Sequence, residues 1–197
     1  MPPYQYNGIS NIYTSEYKAS GSRFLGFLFP VASAQEFETC IKEYKALYAD
    51  ATHVCSGCVI GLEREYQRCS DDGEPSNSSG RPILNALLSA EITRVGCAVV
   101  RYYGGTKLGI PGLIEAYGVT ANLCIERADI QVLTEMSSIE CTINPAKSYL
   151  LYNYLNRQKN LSYTTDTTGT FKIHFPKSMT DELQKGLKNI TSLKINN

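Results

Sequence analysis

The sequence predicts an α+β protein built from two domains. Residues 22–128 alternate apolar strands with amphipathic helices, and the apolar pattern changes register after Asp129. Residues 130–195 then follow the order strand, helix, two strands, helix and strand, which is the ferredoxin-like order. We therefore predict one domain over residues 1–130 and a ferredoxin-like domain over residues 131–197.

Within the first domain, residues 22–31 predict a buried strand, because they are almost entirely aromatic and aliphatic. Ser33 and Glu36 form a capping-box pattern at the start of an amphipathic helix. Residues 51–62 predict a second strand. The polar segment 63–80 is rich in turn formers, which is typical of a long functional or mobile loop.

The second half of this domain contains the longest predicted helix. Ser79 is placed to cap a short helix. Residues 94–103 are nearly continuously apolar, as expected of a strand covered on both faces. A glycine-rich loop over residues 104–112 follows, and Pro111 suits the first turn of the long helix.

The elements of the second domain follow from capping and turn signals. Residues 130–143 predict a strand, and Asn144 is placed to cap the next helix. The Thr168-Gly169 pair predicts a hairpin turn. A capping-box pattern from Ser178 to Asp181 precedes the last helix, and residues 193–195 predict the final strand.

Composition excludes several classes of function. The 197 residues carry 19 Lys+Arg against 19 Asp+Glu, and 43% of them are hydrophobic. A net charge of zero gives no overall attraction to nucleic acid or anionic lipid, so any polyanion contact must be local. Residues 131–197 carry a net charge of +3, which a solvated surface explains more simply than an RNA contact.

The start of the chain and its cysteines indicate a cytoplasmic protein. The segment MPPYQYNGISNIY lacks the basic and apolar regions of a secretory signal. Seven cysteines, an odd number scattered in apolar segments, suit a reducing compartment. The longest apolar stretches are far shorter than the ~20 residues of a membrane helix, so we expect no membrane contact.

Two long motifs resemble those of the YigZ/Impact family. They are SDDGEPSNSSGRPILNAL at 70–87 and VVRYYGGTKLGIPGLIEAYG at 99–118, accompanied by ATHVC at 51–55. The resemblance implies an N-terminal domain with the βαβ-type fold of domain IV of elongation factor G, and a C-terminal domain similar to its ferredoxin-like domain V. It also implies a translation-associated role, through RNA, the ribosome or a translation-control protein.

The sequence departs from the family pattern at three positions. Asn77 stands where the family has a glycine in its GEPSGTAG motif, and asparagine tolerates positive φ best among the alternatives. Pro111 replaces a glycine of the second motif, and Glu115 replaces an arginine. If that arginine contacts phosphate in relatives, the contact is absent here.

The acidic loop is the first candidate site. Asp71, Asp72 and Glu74 are close enough in sequence to bind a hard cation or share a proton. Alternatively, these carboxylates cap the loop or pair with Arg81 and Arg101. We favour the structural interpretation and predict no resident metal ion and no cofactor.

The glycine loop is the second candidate site. Its glycines let backbone N–H groups approach an anion, and a following helix N-terminus adds partial positive charge. A tight turn alone would also explain the glycines. The residues predicted to bind here are Arg101, Tyr102, Gly104, Gly105, Lys107 and Gly109, with Tyr102 or Tyr103 available for stacking on a base.

His53, Cys55, Cys58 and Cys69 form a third constellation with the composition of a zinc site. Along a straight strand, however, His53 and Cys55 point one way and Cys58 the other. We therefore disfavour zinc and expect His53 to hydrogen-bond the acidic loop. With only His53 and His174 available and no nucleophile elbow, a catalytic triad is not supported.

Two functions remain as hypotheses. The first is a non-enzymatic binding protein of translation, which holds phosphate or carboxylate between the loops at 70–81 and 101–109. The second is an enzyme acting on a small phosphorylated or anionic substrate, with Mg²⁺ at Asp71 and Asp72. Both hypotheses require the two loops to form one pocket.

Overall fold

The computed structural model describes residues 4–196 and contains, within them, eleven strands and five α-helices. The strands are β1 (Gln5–Gly8), β2 (Tyr13–Ala19), β3 (Ser22–Pro30), β4 (His53–Ile60), β5 (Tyr66–Ser70), β6 (Val95–Tyr102), β7 (Gln131–Thr134), β8 (Met136–Ile143), β9 (Ser162–Thr165), β10 (Thr170–Pro176) and β11 (Leu193–Asn196). The helices are α1 (Ala34–Leu47), α2 (Gly80–Ser89), α3 (Gly109–Arg127), α4 (Ser148–Leu155) and α5 (Thr180–Lys188). Over the same residues, no helix has the combined length and apolarity of a membrane span.

The first compact unit, Tyr6–Leu133, contains a five-stranded antiparallel sheet with the strand order β2-β3-β6-β4-β5. Side chains of β6 alternate between its two faces. Val99 packs in the core with α2 and α3, and Val100 packs with α1 on the opposite face. Because both faces are covered, β6 is a continuous apolar run, as the sequence predicts.

The second compact unit comprises residues 134–196 together with Tyr4 and Gln5. Its sheet has the order β11-β8-β10-β9, and every neighbouring pair is antiparallel. One core joins this sheet to α4 and α5, with Leu151, Phe171 and Leu187 fully buried. This strand order confirms the ferredoxin-like fold, and the two units together confirm the α+β class.

The predicted boundary after residue 130 lies close to the division after Leu133. That the two parts of the chain fold as separate domains remains a prediction. β1 and β7, which flank most of the first unit in the chain, pair in a two-stranded sheet.

Several local predictions were wrong. β1, β2 and β5 were not predicted, and β5 forms inside the segment assigned to a loop. The predicted strand over 130–143 is two strands, β7 and β8. The Ser178 capping box does not form, because a 3-10 turn precedes α5 and the helix begins at Thr180. The Ser33 cap is confirmed by a 3.2 Å hydrogen bond from the Glu36 amide to Ser33 Oγ.

Candidate functional site

The acidic loop and the glycine loop meet at a buried ion pair. Arg101 Nη1 donates a 2.6 Å hydrogen bond to Glu74 Oε1, and the two residues are only 5% and 9% exposed. The Tyr117 hydroxyl donates to the same oxygen at 2.8 Å. Arg101 Nη2 donates to Ser22 Oγ at 3.4 Å. The two loops therefore lie together, as both hypotheses require.

A cavity of about 360 Å³ adjoins this ion pair. One wall contains Arg101 and Glu74, and the remaining lining combines apolar side chains with one lysine and one aromatic ring. The lining residues are Glu74, Pro75, Arg101, Tyr103, Lys107, Leu108, Gly109, Ile110 and Leu113. The cavity therefore offers apolar contact area beside a small number of charged groups, which is the usual composition of a ligand site.

The N-terminus of α3 forms one side of the cavity. This 19-residue helix begins at Gly109, has no side-chain cap at Leu108, and carries no acidic residue in its first turn. Gly109 has a φ of +70°, a conformation that glycine adopts without strain. The uncapped amides and the helix dipole therefore give this end of the cavity partial positive charge, to which the exposed Lys107 adds a full charge.

Asp71 does not line the cavity and instead caps α2. Its carboxylate accepts backbone hydrogen bonds from Asn77 at 2.8 Å, Ser79 at 3.1 Å and Gly80 at 2.8 Å. The Ser79 hydroxyl donates to it at 2.7 Å, so the predicted Ser79 cap is wrong and Asp71 takes that role. Burial raises the pKa of Asp71, but these four hydrogen bonds outweigh it and lower the pKa below 3.8.

Asp71 makes the free energy of unfolding depend on pH in the acid range. Because its pKa is lower in the folded state, the carboxylate stabilises the fold fully above pH 3.8 and loses this contribution as pH falls through the folded-state pKa. We expect Asp71→Asn to flatten the loss of stability below about pH 4 and to cost about 1 kcal/mol near neutrality. Urea titrations across this pH range measure both effects. An unchanged acid profile would contradict the capping role.

Asp72 and His53 also form part of the scaffold. Asp72 Oδ2 accepts a 2.7 Å hydrogen bond from the Val54 amide, and Asp72 Oδ1 pairs with Lys45. His53 Nδ1 lies 2.8 Å from the Asp72 carbonyl oxygen, so the predicted contact between His53 and the acidic loop is present. Neither residue lines the cavity. The structural interpretation therefore holds for Asp71 and Asp72, and Glu74 is the acidic residue of the cavity wall.

Tyr102 is not placed at the cavity. Its hydroxyl donates to Asp50 Oδ1 at 3.0 Å, and its side chain packs with the α1 side of the sheet. Tyr103 lines the cavity instead, with its ring centroid 5.5 Å from the Arg101 guanidinium carbon. Strand alternation explains this correction, because Arg101 and Tyr103 point one way and Tyr102 the other.

Three further predicted residues lie outside the cavity lining. Arg81 is an exposed residue of α2. Gly104 packs against the chain itself, since a Cβ there would lie 1.9 Å from the carbonyl carbon of Gly21. Gly105 has a φ of +86° with open space around it, so it serves the turn. Within the predicted glycine-loop set, Arg101, Lys107 and Gly109 remain at the cavity.

The cysteines are not arranged as a metal site. Cys55 and Cys58 belong to cores on opposite faces of the sheet, as strand alternation predicts. Burial raises the pKa of Cys55 to about 12 and that of Cys58 to about 11, so both thiols stay protonated at neutral pH. Among residues 4–196, no three His, Cys, Asp or Glu side chains are grouped to hold a metal ion.

Several residues of this site lie outside the predicted set: Ser22, Pro75, Tyr103, Leu108, Ile110, Leu113 and Tyr117. Ser22 accepts hydrogen bonds from Arg101 and, at 3.2 Å, from the Gly104 amide. Tyr117 joins Glu74 to Cys55, whose sulfur lies 3.3 Å from the Tyr117 hydroxyl oxygen. Tyr103 lines the cavity, whereas the predicted Tyr102 does not. Strand parity could have found Tyr103, whereas Ser22 and Tyr117 come from distant segments that only the fold brings close.

The structure defines an α+β protein of two compact units, the first of which has a largely apolar cavity bordered by the Arg101–Glu74 pair, Lys107 and a helix N-terminus. Comparison with known families identifies it further. The model of the Impact N-terminal domain matches residues 20–125, and the chain belongs to this family. The match confirms the resemblance carried by the motifs at 51–55, 70–87 and 99–118.

Curated relatives carry the same family name. The chain is 43% identical over 97 residues to the IMPACT family member YvyE of Bacillus subtilis (strain 168), covering 49% of this chain and 45% of that protein. It is 32% identical over 124 residues to the IMPACT family member YigZ of Escherichia coli (strain K12), covering 61% of each. The matched region thus spans about half to three fifths of these relatives.

A solved structure resembles the whole chain. The crystal structure of a hypothetical protein has a TM-score of 0.73 and covers 98% of this chain and 96% of that one, at 23% sequence identity. This likeness concerns the fold. The matched residues include both compact units described above.

Proposed function

We propose that this chain is a non-catalytic, translation-associated protein that binds RNA through the cavity between the acidic loop and the glycine loop. Family membership, with the likeness to elongation-factor domains that the motifs imply, supports the association with translation. Ribosomal RNA is then the natural target. A translation-control protein that binds the same face is the alternative partner, and the experiments below separate the two.

The cationic cavity is the observation that carries this proposal. Arg101, Lys107 and the uncapped start of α3 border the same space. These are the groups that hold phosphate oxygens in proteins. Arg101 is paired with Glu74, so Lys107 and the start of α3 supply the net positive charge of the cavity, which is the local contact available to a polyanion in a chain of zero net charge.

The carboxylates of Asp71 and Asp72 are already occupied by hydrogen bonds within the protein, which favours a binding role over catalysis. Asp71 accepts hydrogen bonds from backbone amides and Ser79, and Asp72 holds the Val54 amide and Lys45. A magnesium-dependent enzyme would need these oxygens for the metal ion. Glu74 is neutralised by Arg101, and the Cys55 thiol is protonated, so neither supplies a free nucleophile or base.

Lys107→Ala tests the proposal. We expect the variant to bind RNA more weakly at low salt and to reduce the slope of log K against log salt by about one. The measurement is a salt series of RNA binding by fluorescence anisotropy, with ribosome cosedimentation beside it. Lys42→Ala is the matched control, because Lys42 is an exposed lysine on α1, on the opposite face of the sheet.

The outcomes separate the candidate partners. Loss of RNA affinity in Lys107→Ala but not in Lys42→Ala supports the proposal. Failure of the unaltered chain to bind ribosomes or RNA at any salt concentration overturns it. Cosedimentation that survives complete RNase digestion and is still lost in Lys107→Ala overturns the RNA assignment in favour of a protein partner. Thermal stabilisation by Mg²⁺ with a sugar phosphate would instead support the enzyme.

A further inference from the structure

We propose that the cavity holds one unpaired nucleotide, whose base stacks on Tyr103 and whose phosphate lies at Lys107 and the start of α3. This inference rests on the proposed function and narrows it to single-stranded RNA. It assigns a base-contacting role to Tyr103, Leu108 and Leu113. A duplex, whose bases are stacked inside, could reach only the rim.

Tyr103 has the placement of a stacking platform. It is 46% exposed although it directly follows a buried strand, and it lines the cavity. The Arg101 guanidinium carbon lies 5.5 Å from its ring centroid, so one contact of the ring is already provided by a cation. The accessible ring surface is left for a second flat group. Successive bases of single-stranded nucleic acid stack on aromatic rings in this way.

The other walls suit a base rather than a peptide carboxylate alone. Leu108, Leu113 and Pro75 give apolar contact area within the cavity lining. A volume of about 360 Å³ is at the small end of ligand sites and matches a single nucleotide more closely than a longer segment. A bare phosphate or carboxylate would leave most of this apolar surface without a partner.

Arg101 marks the charged end of the cavity independently of the helix. The residue is 5% exposed and lines the cavity, and its Nε has no hydrogen-bond partner anywhere in residues 4–196. Buried polar atoms are nearly always hydrogen-bonded, and this nitrogen is an exception in a guanidinium whose Nη1 and Nη2 are bonded to Glu74 and Ser22. Lys107 and the α3 amides lie in the same lining. A phosphate at this end of the cavity would contact Lys107 and the start of α3.

The absence of tryptophan from this chain allows a direct test. Tyr103→Trp introduces a single tryptophan into a sequence that has none, and its fluorescence is quenched when a base stacks on the indole. We expect a ten-nucleotide single-stranded RNA to quench it saturably, and AMP to do so more weakly. Inorganic phosphate and a ten-base-pair RNA duplex should leave it unchanged. Tyr66→Trp, on the exposed strand β5, is the matched control and should not respond.

Affinity measurements complete the test. Tyr103→Phe should keep single-strand affinity, and Tyr103→Ala should weaken it about five- to 150-fold with an unchanged circular dichroism spectrum. If the unaltered chain binds RNA but Tyr103→Trp is not quenched and Tyr103→Ala binds normally, the nucleotide pocket is wrong and the proposed function stands. If the duplex binds as tightly as the single strand, the pocket is likewise wrong. If no RNA binds at all, both proposals fail.

Discussion

Arg101→Met is expected to lower the free energy of unfolding by about 3 to 5 kcal/mol. The substitution keeps an unbranched apolar stem but removes the guanidinium, which leaves the Glu74 carboxylate buried with only the Tyr117 hydroxyl as a donor. A buried charge without its counter-charge is among the most destabilising defects in a protein core. Urea titration, with hydrogen exchange of the β6 amides to localise the effect, measures the loss.

Two further variants show whether Arg101→Met lowers stability by leaving the Glu74 charge buried and unpaired or only by removing contacts of the Arg101 side chain. Arg23→Met removes an exposed guanidinium that pairs with Glu16, and we expect little change in stability. Adding Glu74→Leu to Arg101→Met should restore much of the lost stability, because no unpaired charge then remains. If Arg101→Met and Arg23→Met had equal effects, the buried pair would not have the energetic role assigned to it.

Gly104→Ala is expected to be the second most damaging substitution, at about 3 kcal/mol. The added methyl group would lie 1.9 Å from the carbonyl carbon of Gly21 and 2.3 Å from the Ser22 amide nitrogen. Both are backbone atoms, which cannot move aside as a flexible side chain can. The loop must therefore separate from the β2–β3 turn, and Arg101 loses its contact with Ser22. Thermal unfolding and RNA binding should both be impaired.

Gly105→Ala is the matched control for this prediction. Nothing lies within 4 Å of the added methyl group, and the expected effect is only the strain of a φ of +86°, about 1 kcal/mol. The two substitutions are adjacent and chemically identical. Equal effects would contradict the close approach of the two backbones at Gly104.

The elements with strong apolar periodicity could be predicted, and those held by backbone pairing could not. The apolar residues of β6 form a continuous run, and those of α3 recur every three or four positions, so both elements could be predicted. β5 has the sequence YQRCS and is almost wholly exposed, because it is an edge strand whose stability comes from its ladder with β4. Nothing in those five residues distinguishes such a strand from a polar loop.

The candidate site could be predicted only in part. The pairing of Glu74 with Arg101 was among the alternatives, because a buried carboxylate requires a cation nearby. The Asn77 substitution was also correctly interpreted, since this residue has a φ of +61°. The capping of α2 by Asp71 could not be predicted, because the residue that caps a helix normally stands directly before it in the sequence. In the structure the cap comes from nine residues before Gly80.

The buried pair also governs how sequence variation in this chain should be interpreted. Single replacements at Glu74 or Arg101 are expected to destabilise the fold whatever the protein binds, so a change at either position would not report on the ligand. Lys107 and Tyr103 lie outside the buried ion pair and line the cavity. A change of residue at either position would therefore indicate a changed ligand. A substitution at Lys107 or Tyr103 is therefore more informative about the ligand than one at the buried pair.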